Sequence, residues 1–511
     1  LLRACQIYIC ARITNSKIYL LRKEKMHTLK ESISQGLTFF QAGELALASN
    51  HFRGLLEDHP NHPDVAHLLG LVSYHQGEFG DALEQLRQAI ELSPETAKYH
   101  YDLGNLYCAQ KEYKNAINAY KKAVSLSPSD MHMHLSLANT YYEQGEVLNA
   151  LSQYLKITQI DPFYPDVYCQ LGKIYIELNE HHIAVELFRQ AVSLKVGYLD
   201  ASVYLGKSYW ALGDTINARI CLEECYQRAP NHPEVAALYA QIELLNKNFE
   251  LGWQAYQKSV PEQPVWNGKS IKKDNYLFIW SENDLNKLFL FSHLIGTVEN
   301  VEKEQVCFVG NTQECDFIQM IYPDIKIFDM DKENTYINHA KSAVHTSMGL
   351  LPKYCNQWKQ DKGQPLFKIN DQLLHKYREG YLHHTKNHPV VGCYFGPLAD
   401  ADSPSLLQWE QFVQDKPMIV FENVDYGQLE AMIHQVKALD LLITVDAPLA
   451  HVAAHCGVPV YLLVNHHPSW YWFLNAESTQ WYDNVTLFRQ EAAGTWDRTF
   501  ETLNTHLRDI Q

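Results

Sequence analysis

ETAKYHYDLGNLYCAQKEYKNAINAYKKAVSLSP, residues 95–128, is one period of a pattern that recurs every 34 residues. Its closing Pro128 has counterparts at Pro60, Pro94 and Pro162; the next beat falls on Val196 and the one after on Pro230. Ten positions after each beat, and once before the first, stands a small residue: Gly36, Gly70, Gly104, Ala138, Gly172, Gly206 and Ala240. A small side chain there lets the first helix of a hairpin approach the second. A further small column, Ala48, Ala82, Ala116, Ala150, Ala184 and Ala218, marks where the helices cross. Aromatics follow at Phe39, Tyr107, Tyr141, Tyr175 and Tyr209. The spacing predicts six stacked helical hairpins over 29–232. Residues 233–260 read as a degraded cap whose outer face meets water or another domain.

The pattern resembles the tetratricopeptide (TPR) repeat. The resemblance implies an α-helical solenoid over 29–262 with a concave groove that holds a peptide or a partner protein. The groove column Ser34, Leu68, Asp102, Ser136, Gln170 and Tyr204 does not repeat the asparagine ladder of TPR-bearing protein O-glycosyltransferases. Sequence-independent peptide gripping of that type is therefore not expected. Nor is the basic carpet of a TPR co-chaperone present.

The net charge is −16, with 43 Lys and Arg against 59 Asp and Glu. That argues against general nucleic-acid binding, which needs basic surface to displace counterions. No apolar run reaches the ~20 residues of a membrane span. Eleven cysteines, odd in number and without repeated spacing, are not a disulfide framework and suggest a reducing, cytoplasmic setting. Cys221 and Cys225 share a helix face and read as packing rather than metal ligands. Residues 1–25 read as a non-native or disordered extension, with the functional chain expected to start at Met26.

After Glu262 the 34-residue rhythm stops. Apolar runs at Tyr276–Trp280, Gln305–Val309, Lys326–Phe328, Val390–Phe395, Met418–Phe421, Leu441–Val445 and Val458–Val464 read as buried parallel strands. Helical stretches, such as Tyr426–Leu439 and Ala447–His455, separate several of them. The alternation predicts parallel sheets covered by helices, in two halves at 263–385 and 388–511 with a ligand cleft outside the carboxyl ends of the strands.

The stretch DLLITVDAPLAHVAAHCGVPVYLLVNHHPSWYWFLNAESTQWYDNVTLFRQ, residues 440–490, carries the next signal. It resembles the carboxy-terminal part of the heptosyltransferase-like domain (glycosyltransferase family 9) that many bacterial TPR proteins carry. Matching residues include Asp440, Asp446, His451, Pro468, Trp470, Trp472, Trp481 and Tyr482, and Pro264-Val-Trp-Asn-Gly268 resembles the linker of the same proteins. The resemblance covers 263–511 loosely and 440–490 closely. It implies an α/β GT-B fold of two Rossmann-like halves following the solenoid. It further implies a nucleotide-sugar donor as substrate, no separate cofactor, and inverting transfer without a metal.

Under that resemblance the turn at Asp446 receives the donor diphosphate, because free N–H groups at a helix N-terminus attract phosphate, and His451 faces the cleft. The alternative is that Asp446 is an N-cap and His451 a satisfied core histidine. Trp470 and Trp472, with Tyr471, Trp481 and Tyr482, are candidates for a donor-stacking wall or for core. The base of the related domains lies in a glycine-rich turn, here Ser281-Glu-Asn-Asp-Leu-Asn-Lys287. Both glycines are replaced, by Asp284 and Asn286, and the aspartate has become Lys287. A lysine protonated at pH 7 accepts no proton, which leaves Glu282 or Asp284 as the candidate catalytic base.

The phosphate side departs too. Between His388 and Phe488 the cations are Lys416 and Lys437 alone, the loop 396–402 (GPLADAD) is acidic, and Tyr471 replaces the arginine between the paired tryptophans. Neither His383, His384 and His388 nor His466 and His467 have a compact ligand spacing, and solvated loop histidines are expected instead of a metal.

Two functions follow. One is a TPR-guided glycosyltransferase whose groove recruits a protein or cell-envelope glycan acceptor. The other is a TPR scaffold for protein–protein interaction carrying a catalytically degenerate transferase fold. Self-association into a homodimer through the solenoid is compatible with both.

Overall fold

The computed structural model describes residues 29–260, 265–273, 275–332, 343–355, 366–386, 388–396, 403–414, 416–422, 424–473, 476, 478–491 and 495–508. The expected extension 1–25 and loop positions 397–402 lie outside the described residues. The chain divides into two compact units, Leu1–Tyr198 and Leu199–Gln511.

In the first unit, helical hairpins follow the predicted period. Helix 29–41 pairs with Leu45–Asp58, Pro63–Gln76 with Phe79–Leu92, and Ala97–Ala109 with Tyr113–Leu126. Met131–Glu143 pairs with Val147–Ile160, and Pro165–Glu177 with His181–Leu194. Ala48, Ala82, Ala116, Ala150 and Ala184 are wholly buried at the crossings. A methyl group on Gly104 would lie 2.5 Å from the Tyr120 ring, so only glycine permits that approach. The turn inside each hairpin needs one left-handed residue, and it comes at the repeat period as Gly43, Gly77, Lys111, Gly145 and Asn179, all with positive φ. Neighbouring repeats are tied by Tyr99 Oη donating to Asp64 at 2.6 Å and by His67 Nε2 against Asp102 at 2.6 Å.

The second unit begins with helices Leu199–Ala211, Thr215–Arg228, Pro233–Leu245 and Phe249–Ser259. Two parallel sheets follow. The first has order β3-β2-β1-β4, with β1 Tyr276–Trp280, β2 Val306–Gly310, β3 Lys326–Asp329 and β4 Ala343–Ser347. The second has order β6-β5-β7-β8-β9, with β5 Val391–Tyr394, β6 Met418–Phe421, β7 Leu441–Val445, β8 Val460–Val464 and β9 Val485–Arg489.

The seven predicted strands are present with small end shifts. The sequence reading missed β4 and β9. In β4, AVHTS, the polar His345, Thr346 and Ser347 are buried by the sheet, a burial that local hydropathy cannot show. In β9 an exposed Thr486 breaks the apolar run.

Two boundaries differ from the sequence reading. The predicted break at 262 marks where the repeat rhythm ends, but one hydrophobic core runs from Ala218 and Leu222 through both sheets to Leu507. The last repeat helices are thus part of the second unit. Helix Asp371–His384, assigned by sequence to the first half, is bound to the second sheet's side. Arg378 donates to Asp440 at 2.8 Å and to Ala438 O at 2.7 Å, and Asn370 N donates to His434 Nε2 at 2.7 Å. That helix also carries His383 and His384, which are exposed in its last turn rather than in a loop.

Candidate functional site

Two turns, one after β1 and one after β7, hold the residues singled out by sequence. Both lie at carboxyl strand ends, where open α/β sheets bind ligands. After β1 the chain turns through Asn283, whose φ of 54° is left-handed, into helix Leu285–Phe291. Asp284 caps that helix by accepting from Lys287 N at 3.2 Å. A capping carboxylate of this kind is an ordinary helix start.

Glu282 turns inward. Its carboxylate accepts from Lys287 Nζ at 2.7 Å, from Gly349 N at 3.0 Å and from the Tyr256 hydroxyl. Lys287 Nζ lies also 3.5 Å from Asp284. Burial pushes the Glu282 carboxyl up, yet the Lys287 ammonium and the Tyr256 hydroxyl outweigh it and hold it below the ordinary value. For Lys287, burial works against the charge and Glu282 more than restores it, leaving the amine above its ordinary value. The substituted lysine is therefore the partner of the candidate base. A carboxylate so held is a poor proton acceptor.

Beside this network lies a mostly apolar cavity of about 320 Å³, lined by Trp280, Glu282, His345, Ser347 and Leu350 among others. Trp280 Nε1 donates to His345 Nδ1 at 2.8 Å across one wall.

The turn after β7 differs from expectation. The residue capping helix Pro448–His455 is Ala447, without a side-chain bond. Asp446 stands one position earlier and accepts from Ser469 Oγ at 2.6 Å, so it is not the N-cap. His451 does not face a cleft: it has no exposed surface, stacks on Trp472 at 5.2 Å with the planes 5° apart, and contacts Tyr482 Oη through Nδ1 at 3.2 Å. Burial lowers its pKa to about 3, so it is a neutral imidazole at physiological pH.

Trp470 and Trp472 are buried as well. Trp470 meets Trp253 of the last repeat helix edge-on at 5.3 Å and stacks on Phe291 at 5.9 Å. Arg489 secures the loop from below by donating to Trp472 O at 2.6 Å and Ala476 O at 2.7 Å. The aromatic cluster is core at the junction of repeat helices and sheets. Tyr471, between Trp470 and Trp472, is also buried. Burial pushes its hydroxyl far up, and the Asp446 and Asp284 charges add to the effect.

The sequence pointed to both turns but missed Tyr256, which lies six residues before the expected break at 262 and closes on Glu282. Its only signal was a polar aromatic on a cap helix. Among the described residues, no group of three or more His, Cys, Asp or Glu side chains is placed to hold a metal. Among them, too, no helix is long and apolar enough to cross a membrane.

Comparison with known proteins bears on the repeat region. The TPR repeat family matches residues 104–145 and 138–179, and the tetratricopeptide repeat family matches 165–195 and 201–232. A family described as anaphase-promoting complex, cyclosome, subunit 3 matches 41–123. Among solved structures, MamA is 25% identical with a TM-score of 0.30, over 31% of this chain and 94% of its own. The C-terminal part of a TPR repeat-containing protein from Cytophaga hutchinsonii is 16% identical with a TM-score of 0.40, over 44% and 93%. Pseudomonas aeruginosa pilF is 20% identical with a TM-score of 0.33, over 38% and 88%. No curated protein matches the chain. The N-terminal ~230 residues carry tetratricopeptide repeats, followed by a region of parallel sheets.

Proposed function

We propose that the chain is a protein-interaction scaffold in which TPR repeats take the partner, and that its α/β region is a glycosyltransferase-like fold no longer equipped for transfer. The observation that carries this reading is the Lys287–Glu282–Tyr256 network. The candidate base is paired with a cation and a phenol instead of facing an acceptor hydroxyl. Transfer also needs positive or N–H-rich surface for the leaving diphosphate. The turn after β7, expected to take that charge, carries Asp446 held by Ser469 and no cation of its own, which supports the reading.

A second reading retains transfer. It is favoured by the cavity at the ends of β1 and β4, which has Glu282 on its wall and room for part of a small ligand. Thermal shift with uridine-, guanosine- and adenosine-diphosphate sugars separates the two. The scaffold reading expects no saturable rise in midpoint with any of them. A saturable rise that disappears in Asp446→Ala supports a nucleotide-sugar transferase and names its donor class.

A further inference from the structure

The cavity beside the Glu282 network occupies a particular place in the first sheet. With the order β3-β2-β1-β4, the chain works outward from β1 to β3 and then sets β4 on the other side of β1. The carboxyl ends of β1 and β4 therefore flank the point where the winding reverses, and open α/β sheets hold ligands at such points. Trp280 and Ser347, the last residues of the two strands, are register partners there, and both line the cavity. Glu282 follows Trp280, His345 precedes Ser347, and Val260 and Leu350 supply apolar wall. The described lining residues belong to the second unit, and none lies on the second sheet.

Two polar side chains interrupt the apolar wall, with different needs. Ser347 is 7% exposed, and its buried hydroxyl has no hydrogen-bond partner among the described residues. It stands near enough to Glu282 to help hold that carboxylate down, but not at bonding geometry. Buried polar groups of native proteins are paired with protein, water or ligand, so an orphan at a cavity wall marks a place for one. Glu282 has its charge balanced already by Lys287 Nζ at 2.7 Å. Its Oε1 takes one bond, from Gly349 N at 3.0 Å. A carboxylate oxygen has two lone pairs, so Oε1 accepts one more hydrogen bond without calling for a further cation. An anion would meet the Glu282 charge unshielded, which excludes phosphates and carboxylates. A hydroxyl satisfies both groups, since it donates and accepts at one atom. The Trp280 ring, fixed by its Nε1 donating to His345 Nδ1 at 2.8 Å, offers a rigid apolar face to the rest of the ligand.

We infer that this cavity binds a small uncharged alcohol with an apolar body, its hydroxyl donating to Glu282 and accepting from Ser347 while the body packs on Trp280, Val260 and Leu350. The volume of about 320 Å³ is at the small end of ligand pockets and suits such a molecule. The site binds without transforming its ligand, because a Glu282 carboxylate held by Lys287 and Tyr256 is a poor proton acceptor. The inference rests on the cavity alone. Thermal shift with nucleotide-sugars tests the scaffold reading separately, so failure of either leaves the other standing.

The test uses the full chain and four probes with one body and different heads: phenethyl alcohol, phenethylamine, phenylacetate and ethylbenzene. At pH 7 the amine is a cation and the acid an anion. Equilibrium dialysis is expected to show saturable binding of the alcohol, about tenfold or more tighter than that of the other three. Ser347→Ala deletes only the orphaned hydroxyl. It should weaken the alcohol about tenfold, leave ethylbenzene unchanged, and melt no earlier than wild type. Val260→Phe fills the cavity from a half-buried position and should abolish binding of the alcohol. The indole N–H resonance of Trp280, in protein carrying isotope-labelled tryptophan, should shift as the alcohol is added, which locates the site even if Val260→Phe does not fold. Equal affinity for alcohol and hydrocarbon would make the cavity a plain apolar hole and overturn the inference. Tighter binding of the amine overturns it by showing the Glu282 charge to be uncompensated. Binding of no probe leaves water as the partner of Ser347 and overturns it too, as does wild-type affinity in Ser347→Ala or an unmoved Trp280 signal.

Discussion

Lys287 Nζ lies 2.7 Å from Glu282 Oε2, and the same ammonium lies 3.0 Å from Tyr256 Oη. The pair joins the turn after β1 to the last repeat-derived helix, and the side chains are only 19% and 16% exposed.

Removing one member of such a pair strands the other. Lys287→Met is expected to destabilise the second unit by about 3 kcal/mol, read from urea unfolding at pH 7. Glu282→Gln/Lys287→Met should recover most of that loss. The sign of the pH effect separates the variants. In the native protein Glu282 is depressed, so its stabilisation is present above its unfolded value near 4.5 and fades as pH falls through the lower folded value. Lys287 is raised, so its share is present below 10.5 and fades as pH rises through the folded value. In Lys287→Met, burial without the cation raises Glu282 instead, and the gap to wild type should narrow on acidification. A gap constant with pH would mean the ion pair is not the source.

His451 and His455 make the junction acid-sensitive. His455 Nε2 donates to Phe289 O at 2.8 Å, which places the ring hydrogen on that nitrogen. Burial depresses both histidines, His451 to about 3. Their unfolded forms bind protons below about 6.5 while the folded forms do not, so stability is full above that pH and falls below it. Each contributes a slope of about 1.4 kcal/mol per pH unit. His451→Phe, which keeps a ring against Trp472, should flatten the slope between pH 6.5 and 5 by about that amount. Denaturant titrations across that range measure it.

The shared core predicts where the chain can be cut. A fragment starting at residue 263 exposes Trp470 and Phe473, which Trp253 and Phe249 otherwise cover. It is expected to aggregate or to bind a hydrophobic dye, whereas a fragment starting at Leu199 should unfold in one cooperative transition. Cooperative folding of 263–511 alone would show that the repeat helices are dispensable to this core.

The repeats were legible because a short period puts the same contact at the same offset every time. Gly104 against Tyr120 is a contact inside one hairpin, only sixteen residues apart in sequence, and the column of small residues announces it. Seven strands were legible as apolar runs. β4 was not, because His345, Thr346 and Ser347 owe their burial to a neighbouring strand. The candidate site was legible only as two turns. Nothing near Glu282 in sequence shows that Tyr256 closes on it, and nothing near His451 shows that Trp472 covers it.

By itself, then, the sequence determined the helical repeats, the parallel strands and the composition of the two turns, since these follow from local periodicity and residue type. Only the tertiary structure decided that the last repeat helices share a core with both sheets, that Lys287 occupies the candidate base, and that the tryptophans are core. Those outcomes depend on side chains from distant segments competing for the same buried volume and the same hydrogen-bond partners, which no local pattern encodes.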